Sequence, residues 1–281
     1  MKFWIVYKKK FENTVVAQSM FEAAKRNNVD CEICYFEYFS YVIENNEQKL
    51  LYKSKEIALP DVALMRGYEP TLYSFLEKNG IKLLNSKQGA FTTLDKFESH
   101  LVASKLGIPQ PKTICGKLDF EDITKQVGLP FIMKNRSGSK GENVFLINSQ
   151  AEFEEIISAK NKIEYIYQEY IAKSKGKDLR IYFVGDKIAG AVKRICTTGD
   201  FRSNVSLGAT SEKVTDLSPE IKKWSTQFAE YLDLHFCSVD FLLADEKYLF
   251  CEANSNAGFS AFFDNGMDMQ QALMEYVKKK F

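Results

Sequence analysis

Short apolar runs alternate with amphipathic segments over the early part of the chain. From residue 12 to residue 27, apolar side chains recur at the spacing of one helix face. The runs between such segments are short and rich in β-forming residues, as is typical of buried parallel strands. They lie at residues 3–7, 30–36, 61–66 and 81–84. This alternation predicts a small βαβ domain with a parallel sheet over residues 1–88.

The remainder of the chain has the pattern of two α+β lobes. A single helix is predicted over residues 93–106, because Gly107 and then Pro109 follow it as a usual helix stop. Further helices are predicted at residues 120–127, 218–231 and 267–279, and strands at residues 111–115, 130–134 and 144–147. Beyond these the strands are mostly antiparallel. We therefore expect a central lobe over residues 89–168 and a C-terminal lobe over residues 169–281.

The composition is that of an ordinary globular protein, with 45% apolar and 27% charged residues. The 281 residues correspond to roughly two domains of about 150 residues each. Lys and Arg number 38 and Asp and Glu number 37, which leaves a net charge of +1. Such a balance provides no general attraction for nucleic acid or for an anionic membrane.

The apolar runs and the cysteines bear on the compartment. No apolar stretch reaches the length of a membrane span, about 18 residues, and the run at residues 3–7 is too short for a signal peptide. Six cysteines without a secretion signal predict reduced thiols and a cytoplasmic location. Cys31 and Cys34 form a CxxC motif, but without a second CxxC or a nearby histidine a buried strand is favoured over a metal or redox site. The two histidines, His100 and His235, are expected to be structural.

The most informative segment is a predicted hairpin near the C-terminus. Two β-rich runs flank the polar residues 244–247. If the turn is centred on Glu246, antiparallel pairing places Asp240 opposite Glu252, with their Cβ atoms about 5 Å apart. Asn254 lies two residues beyond Glu252 and therefore shares its face of the sheet.

Two carboxylates this close repel each other unless one is protonated or a cation binds between them. Two carboxylates and an amide oxygen suit Mg²⁺, which takes its remaining ligands from water and from phosphate groups. The alternative is a pair of acids on a solvated face. The apolar neighbours Phe241, Phe250 and Cys251 favour the metal.

A phosphate ligand of this metal would need cations and backbone N–H groups opposite the hairpin. Lys134 ends an apolar strand directly before a Gly/Ser-rich turn at residues 135–141, which is a sensible phosphate cradle although it is not a Walker A loop. Taken alone, Lys134 is more often a solvated lysine at a strand end, and Lys96 is equally ambiguous. The connector at residues 168–171 could present backbone and carboxylate groups to an adenine.

A second hairpin is predicted around Gly185 and Asp186, which form a favourable two-residue turn. Its pairing places Asp178 opposite Lys193, and a structural ion pair is the favoured explanation. Further along, Arg202 lies in a polar loop and is suited to bidentate contact with phosphate or carboxylate.

Taken together, these segments resemble the ATP-grasp superfamily and, within it, the RimK-like carboxylate–amine ligases that append glutamate. The resemblance covers residues 86–278 and keeps the order of the family and its Asp-to-Glu-to-Asn spacing. The segments that carry it are residues 94–96, 130–134, 168–171 with 175–180, 199–204, and 239–240 with 252–254. The implied α/β and α+β architecture is an N-terminal βαβ pre-domain followed by two lobes that clasp ATP.

The resemblance also implies a role for each candidate residue. Phosphate contacts are implied for Lys96 and Lys134 and, in a loop closing over the triphosphate, for Ser137, Gly138 and Gly141. Adenine contacts at the hinge between the lobes are implied for Glu169 and Tyr170, with Gln168 and Ile171 in the same segment. Contacts with the nucleotide or the acceptor are implied for Asp178. The reacting centre would be lined by Arg202, Ser203 and Asn204, with Arg202 and Asn204 as catalytic residues. Mg²⁺ or Mn²⁺ would be held by Asp240, Glu252 and Asn254.

The activity implied is that of an ATP-dependent ligase, which forms an amide through an acylphosphate and releases ADP and phosphate. Glutamate or another amino acid would be joined to a small molecule, a peptide or a protein, and the resemblance leaves a homo-oligomer open. The chain departs from the family pattern at residues 207–209 and 255–259, which border the acceptor pocket. The acceptor, the amino acid and the number of additions therefore stay open.

Two rival functions remain at this point. A small-molecule kinase on the same fold would transfer the γ-phosphoryl group to a hydroxyl and form no amide. A non-catalytic nucleotide-binding module would bind ATP without turnover. A protein kinase is disfavoured because the chain has neither an HRD nor a DFG motif.

Overall fold

The computed structural model describes residues 1–138, 141–160, 162–203, 208–244, 247–258 and 264–281, whose strands form four sheets. The strands are β1 (Lys2–Tyr7), β2 (Asp30–Tyr35), β3 (Phe39–Glu44), β4 (Glu47–Tyr52), β5 (Lys55–Glu56), β6 (Val62–Arg66), β7 (Lys82–Leu83), β8 (Thr113–Cys115), β9 (Phe131–Asn135), β10 (Val144–Ile147), β11 (Tyr165–Glu169), β12 (Lys177–Val184), β13 (Lys187–Ile195), β14 (Thr210–Val214), β15 (Phe236–Ala244) and β16 (Lys247–Asn254). The helices are α1 (Val15–Arg26), α2 (Pro70–Lys78), α3 (Lys87–Leu94), α4 (Lys96–Lys105), α5 (Phe120–Val127), α6 (Gln150–Ala159), α7 (Pro219–Tyr231) and α8 (Met269–Lys280).

The N-terminal sheet is parallel, with the strand order β2-β1-β6-β7. Alternate residues of β1 pack on opposite faces, where Ile5 joins the cluster that contains α1 and Trp4 joins the cluster that contains α2. Because both faces are covered, β1 is apolar or aromatic from Phe3 to Tyr7 rather than alternating. The parallel βαβ arrangement predicted from the sequence is present.

A small antiparallel sheet of β3, β4 and β5 lies between β2 and β6 in the chain, and the sequence analysis did not predict it. Its strands are half exposed and carry charged residues, so their apolar signal is weak. Ile43 is exposed, whereas Leu50 is buried against the cluster on the α2 side of the parallel sheet.

The helix predicted over residues 93–106 is in fact two helices, α3 and α4. Asp95 ends the first and caps the second: its backbone is extended, and its carboxylate accepts hydrogen bonds from the N–H groups of Phe97 and Glu98. Arg136 holds this carboxylate from outside, with Nε 2.6 Å from Asp95 Oδ2. The break therefore depends on a partner 41 residues away, which a local helix pattern does not reveal.

The central sheet is antiparallel, with the order β10-β9-β11-β8. One face packs Tyr165 and Tyr167 into an aromatic cluster beneath α5 and α6. The other face carries Lys134 and Gln168, with Gln168 opposite Ile132 in the register. Since side chains alternate along a strand, all three share the face that the candidate site uses.

The C-terminal sheet is also antiparallel, with the order β14-β13-β12-β15-β16. Within it β12 pairs with β13 on one side and with β15 on the other, so that Arg180 of β12 lies opposite Asp240 of β15. Helix α8 packs against α1 and β12, and thereby joins this sheet to the N-terminal one. The predicted divisions at residues 88 and 168 stay predictions.

Both predicted hairpins contain a bulge that shifts their register. In β12–β13 the pairing follows the Gly185-Asp186 turn as far as Phe183 and Ile188 and then slips, so Asp178 lies opposite Arg194. The prediction that it lies opposite Lys193 is wrong. In β15–β16 the register slips between Asp240 and Phe241. The predicted turn centred on Glu246 therefore gives the correct pair Asp240–Glu252, which lies beyond the slip, but incorrect pairs for the residues between the slip and the turn.

Asn85 connects the N-terminal domain to the C-terminal sheet near the site. It is fully buried, and its Nδ2 donates to the carbonyls of Phe236 and Ser255 at 2.9 and 2.7 Å. Its Oδ1 accepts from the N–H groups of His235 and Phe236. The backbone directly after Asn254 is thereby fixed against the start of β15.

The CxxC cysteines both lie in β2, as free thiols. Burial raises the pKa of Cys31 to about 12 and raises that of Cys34 further. Such thiols are poor nucleophiles and metal ligands at neutral pH. In the part of the chain that the structure describes, no helix combines the length and apolarity needed to cross a bilayer.

Candidate active site

A cleft of about 120 Å³ lies between the central and C-terminal sheets. Most residues that the sequence analysis singled out line it together, although they come from widely separated segments. They are Lys96, Lys134, Gly141, Gln168, Glu169, Tyr170, Ile171, Asp178, Arg202, Ser203 and Glu252. The cleft is therefore one site built by both lobes.

Two buried lysines supply positive charge on the central-lobe side. Lys96 follows the break at Asp95, and its Nζ lies 2.8 Å from the carbonyl oxygen of Gly138. Lys134 Nζ lies 3.5 Å from the carbonyl oxygen of Cys251 on the opposite sheet. Burial lowers the pKa of Lys96, while the carboxylate of Glu252 acts in the opposite direction. Both lysines are thus held inside the cleft and are not solvated surface groups.

The loop predicted to close over a triphosphate is described at residues 137, 138 and 141, while residues 139 and 140 lie outside the described residues. Gly141 lines the cleft, whereas Ser137 and Gly138 are not among the lining residues. The backbone N–H of Ser137 is bound to Asn135 Oδ1, and the Gly138 carbonyl is bound to Lys96. Their phosphate contacts therefore stay a prediction.

An arginine–aspartate cluster lies under the C-terminal side of the cleft. Arg194 binds Asp178 through two hydrogen bonds, of which Nε to Oδ1 measures 2.7 Å, and its Nη2 also lies 2.9 Å from Asp240 Oδ2. Arg180 binds Asp240 through Nε and Nη2 at 2.8 and 2.6 Å. The charges of two arginines and two aspartates thus neutralise one another beneath the surface of the cleft.

The pKa values of the two aspartates shift in opposite directions. Burial raises the pKa of Asp178, and Arg194 opposes this rise. Burial also acts to raise the pKa of Asp240, but Arg180 and Arg194 outweigh it and hold the value below the ordinary range. Asp178 lines the cleft with its carboxylate already engaged by Arg194, which agrees with a structural ion pair.

The structure brings the three predicted metal ligands together, but it also places two arginines on one of them. Asp240 pairs with Glu252, and Ser238 pairs with Asn254, so the three side chains share a face as expected. Asp240 is fully buried and does not line the cleft. Arg180 and Arg194 supply its neutralising charge, a source that the sequence analysis did not include beside protonation and a bound cation. Glu252 lines the cleft, and Asn254 Nδ2 lies 3.3 Å from its Oε1.

The donor set nevertheless fits a hard cation. The carboxylate of Glu252, the Oδ1 of Asn254 and the remaining lone pair on Asp240 Oδ1 are the oxygen ligands that Mg²⁺ prefers. Among the described residues no group of three or more His, Cys, Asp or Glu side chains could hold a metal ion. A site here therefore depends on the amide of Asn254 as the third ligand.

Arg202 connects the two lobes at the end of the cleft. Its Nη2 binds Asp200 Oδ2 at 2.7 Å, and its Nη1 donates to the carbonyl of Gly141 at 3.0 Å. Hydrogen bonds from Arg202 lower the pKa of Asp200, so the pair stays ionised. Ser203 lines the cleft beside it, and Asn204 lies outside the described residues.

Several residues that line the cleft or lie directly beneath it were given no role in the sequence analysis. Ile132 and Val144 form apolar walls on one side and Leu242 on the other. Ile132 could have been found, since it lies two residues before Lys134 on the same strand face. Arg180 and Arg194 carry no local signal, because their contact with Asp240 depends on the pairing of three strands.

A parallel N-terminal sheet, followed by two antiparallel sheets that enclose buried lysines and an acidic hairpin, defines the ATP-grasp class. The RimK-like ATP-grasp domain profile matches residues 93–277. The chain belongs to this family.

Two curated relatives illustrate the sequence similarity. N-acetylaspartylglutamate synthase A of Homo sapiens is 33% identical over 218 residues, which cover 72% of this chain and 56% of that protein. A probable alpha-L-glutamate ligase of Legionella pneumophila (strain Corby) is 30% identical over 219 residues, covering 76% of this chain and 72% of that protein. The chain thus spans little more than half the length of the human relative.

Solved structures confirm the predicted fold. The ATP-grasp ligase PsnB complexed with its minimal precursor has a TM-score of 0.77 at 18% identity, covering 99% of this chain and 97% of PsnB. A PsnB structure with minimal precursor, Mg and ADP has a TM-score of 0.75 at 16% identity, covering 99% of this chain and 96% of PsnB.

Proposed function

We propose that this protein is an ATP-dependent ligase that joins a carboxylate and an amine into an amide, releasing ADP and phosphate. The observation that carries the proposal is the cleft in which buried Lys96 and Lys134 lie with Glu252 of the acidic hairpin. Cations on one side and oxygen ligands on the other are what a nucleotide triphosphate and its metal require. The names of the relatives, a glutamate-adding synthase and a glutamate ligase, support an amino acid as the amine.

In the proposed reaction the substrate carboxylate attacks the γ-phosphorus of ATP. The bond from that phosphorus to the β,γ-bridging oxygen breaks, and ADP leaves with the electron pair. The amine nitrogen then attacks the carbon of the acylphosphate, phosphate leaves, and the nitrogen loses a proton. Catalysis of this kind depends mainly on positioning and on charge neutralisation.

The residues of the cleft have separate tasks in this scheme. Lys96 and Lys134 hold the phosphates, and residues 168–171 bind the adenine between the apolar side chains of Ile132 and Leu242. Arg202, already fixed by Asp200, faces the transferred group together with Ser203. Asp240, Glu252 and Asn254 would hold Mg²⁺, which supplies further neutralisation of the phosphate oxygens when bound.

ADP release across a panel of carboxylates and amino acids, glutamate included, tests this proposal. Hydroxylamine in the assay converts an acylphosphate to a hydroxamate, and we expect that product only when a carboxylate is present. Lys134→Met should abolish both signals, whereas Lys213→Met, on exposed β14, should leave them unchanged.

Other outcomes would favour the rival functions. ADP release that requires a hydroxyl substrate and gives no hydroxamate would favour a kinase. Binding of ADP without turnover on any member of the panel would favour a non-catalytic module.

A further inference from the structure

The side-chain amide of Gln168 lies in the wall of the cleft with an orientation that its neighbours determine. Gln168 is buried, and it lies opposite Ile132 on the cleft face of the central sheet. Its Nε2 is 2.8 Å from His100 Nε2 and 2.6 Å from Thr113 Oγ1. An amide can be turned by half a rotation with little change in shape, so its orientation must come from the hydrogen-bond network.

The first constraint starts at the backbone carbonyl of His100. Gln110 Nε2 lies 3.1 Å from this oxygen, which can only accept, so the NH₂ group of Gln110 must face it. The other end of the same amide, Oε1, then lies 2.7 Å from His100 Nδ1. Because Oε1 can only accept, Nδ1 must carry the imidazole proton.

The protonation of the other ring nitrogen follows from the surroundings of His100. The ring is buried against Phe250, and burial together with the positive charge of Lys134 lowers the pKa of His100 to about 3. The imidazole is therefore neutral, and with the proton on Nδ1 its Nε2 is an acceptor. Only the NH₂ group of Gln168 can satisfy that acceptor.

The second constraint starts at the backbone carbonyl of Pro111. Thr113 Oγ1 donates to this oxygen at 2.9 Å and so has used its only hydrogen. Its contact with Gln168 must therefore be one in which Gln168 donates. Two backbone carbonyls, through two separate chains of hydrogen bonds, require the same orientation of the Gln168 amide.

The consequence concerns the atom at the other end of that amide. Both hydrogens of Gln168 Nε2 are used, one on His100 and one on Thr113. Within the described part of the chain, no donor is hydrogen-bonded to Gln168 Oε1. The Gln168 amide thus offers the cleft an acceptor of fixed orientation, on the same wall as the apolar side chains of Ile132 and Val144.

We propose that His100, Gln110 and Thr113 are positioning residues that aim Gln168 Oε1 at the exocyclic amino group of the nucleotide base and so select adenine over guanine. Adenine carries an amino group at the position where guanine carries a carbonyl oxygen, and two acceptors facing each other repel. The proposal rests on the proposed function in one respect, namely that a purine nucleotide binds in this cleft. It assigns base selection to side chains of α4, of β8 and of the segment between them, which need not touch the nucleotide.

The test measures the binding of ADP and GDP in excess Mg²⁺ by isothermal titration calorimetry, which needs no knowledge of the acceptor. The wild type should bind ADP at least about 100-fold more tightly than GDP, because a site with a fixed polar group rejects a mismatched partner strongly. His100→Phe keeps the aromatic contact with Phe250 but removes the acceptor nitrogen Nε2. The ratio of the affinity for ADP to the affinity for GDP should then fall at least about tenfold. Thr113→Val removes the other acceptor and should lower the same ratio.

Two further measurements separate positioning from general damage to the fold. Ser99→Ala, which removes a buried hydroxyl from the same helix, should leave the ratio within about twofold of the wild type. In a Gln168→Leu background, His100→Phe should cause no further fall, since residues that act through one group are not additive. If His100→Phe fails to fold, Thr113→Val and its combination with Gln168→Leu carry the same test.

The inference is wrong if folded His100→Phe and Thr113→Val variants bind ADP and keep the wild-type ratio, or if Ser99→Ala lowers the ratio equally. The proposed function fails in a different way: the wild type would bind neither nucleotide, or it would bind ADP and give no carboxylate-dependent release of ADP and no hydroxamate.

Discussion

Two neighbouring hairpins of the C-terminal sheet share a construction and differ in their chemistry. The arginine hairpin (β12–β13) and the acidic hairpin (β15–β16) each contain one register slip. In the arginine hairpin the slip brings Asp178 opposite Arg194 and closes a buried ion pair. In the acidic hairpin it leaves Glu252 directed into the cleft, opposite an Asp240 that the arginine hairpin has already neutralised.

The difference shows how two acids on adjacent strands can be given separate tasks. Besides its proposed contact with the metal, Asp240 binds two arginines, and its removal would leave both arginines short of a partner. Glu252 directs its carboxylate into the cleft, which Lys96 also lines. A like-charge pair is therefore tolerated because one member is balanced from within the sheet and the other is free to act on a ligand.

The largest effect is expected from Asp240→Ala. Removal of one member of a buried ionic network should lower the free energy of unfolding by about 3–5 kcal/mol, because Arg180 loses both of its hydrogen bonds to a carboxylate. Urea denaturation measures this change. Asp186→Ala, at the exposed turn of the arginine hairpin, is the control and should change stability by less than about 0.5 kcal/mol. A loss below about 1 kcal/mol for Asp240→Ala would show that the network is not what stabilises the sheet.

Glu252→Gln should have the opposite profile, with turnover lost and stability kept. We expect turnover to fall at least about 100-fold at saturating Mg²⁺, the effect of losing one preorganised electrostatic group. The free energy of unfolding should stay within about 1 kcal/mol of the wild type, because the carboxylate has no arginine partner among the described residues. Glu212→Gln, on the exposed strand β14, is the matched control. Near-normal turnover in Glu252→Gln would remove the metal assignment.

Arg194→Lys tests whether geometry or charge alone joins the two hairpins. A lysine keeps the charge but cannot bind Asp178 through two parallel hydrogen bonds while also reaching Asp240. We expect a loss of about 2 kcal/mol in the free energy of unfolding. A lysine variant as stable as the wild type in the same denaturation assay would mean that charge alone is sufficient.

The smallest effect is a difference in pH dependence between the two aspartates. The pKa of Asp240 is lowered in the folded state, so its contribution to stability is complete above its unfolded value, about 3.9, and is lost as the pH falls through the folded one. The stability advantage of the wild type over Asp240→Asn should therefore shrink between about pH 5 and pH 3. Burial raises the pKa of Asp178, so the advantage over Asp178→Asn should instead grow as the pH falls through the raised folded value, and it should level off below about 3.9. Urea denaturation at a series of pH values measures both stability differences. If the two differences change with pH in the same direction, the opposed pKa shifts are contradicted.

Much of the fold could be predicted because its signals are local. Helix α5 has the predicted bounds, since Asp119 caps it and Gly128 ends it with a positive φ. The parallel sheet was recognisable from runs that are apolar on both faces. The sheet of β3, β4 and β5 was missed because its half-exposed strands lack that pattern.

The candidate site was predicted about as well as the fold, and the prediction was incomplete for a similar reason. Residues on one strand or in one motif, such as Lys134 or the segment 168–171, were found from spacing and resemblance, and the structure brings them into one cleft. The partners that determine their charge and orientation were not found. Arg180, Arg194 and His100 act across strand pairings and helix packing, which leave no periodic mark in the chain.

The amino-acid sequence alone thus determined most of the segments that become strands and helices and most of the charged side chains that line the cleft, because periodicity, caps and turn residues act over a few neighbouring positions. The tertiary structure decided where the ladders slip, which acid the arginines neutralise and which end of the Gln168 amide faces the cleft. Those outcomes depend on burial and on hydrogen-bond partners tens of residues apart, and such contacts exist only once the sheets and helices have packed.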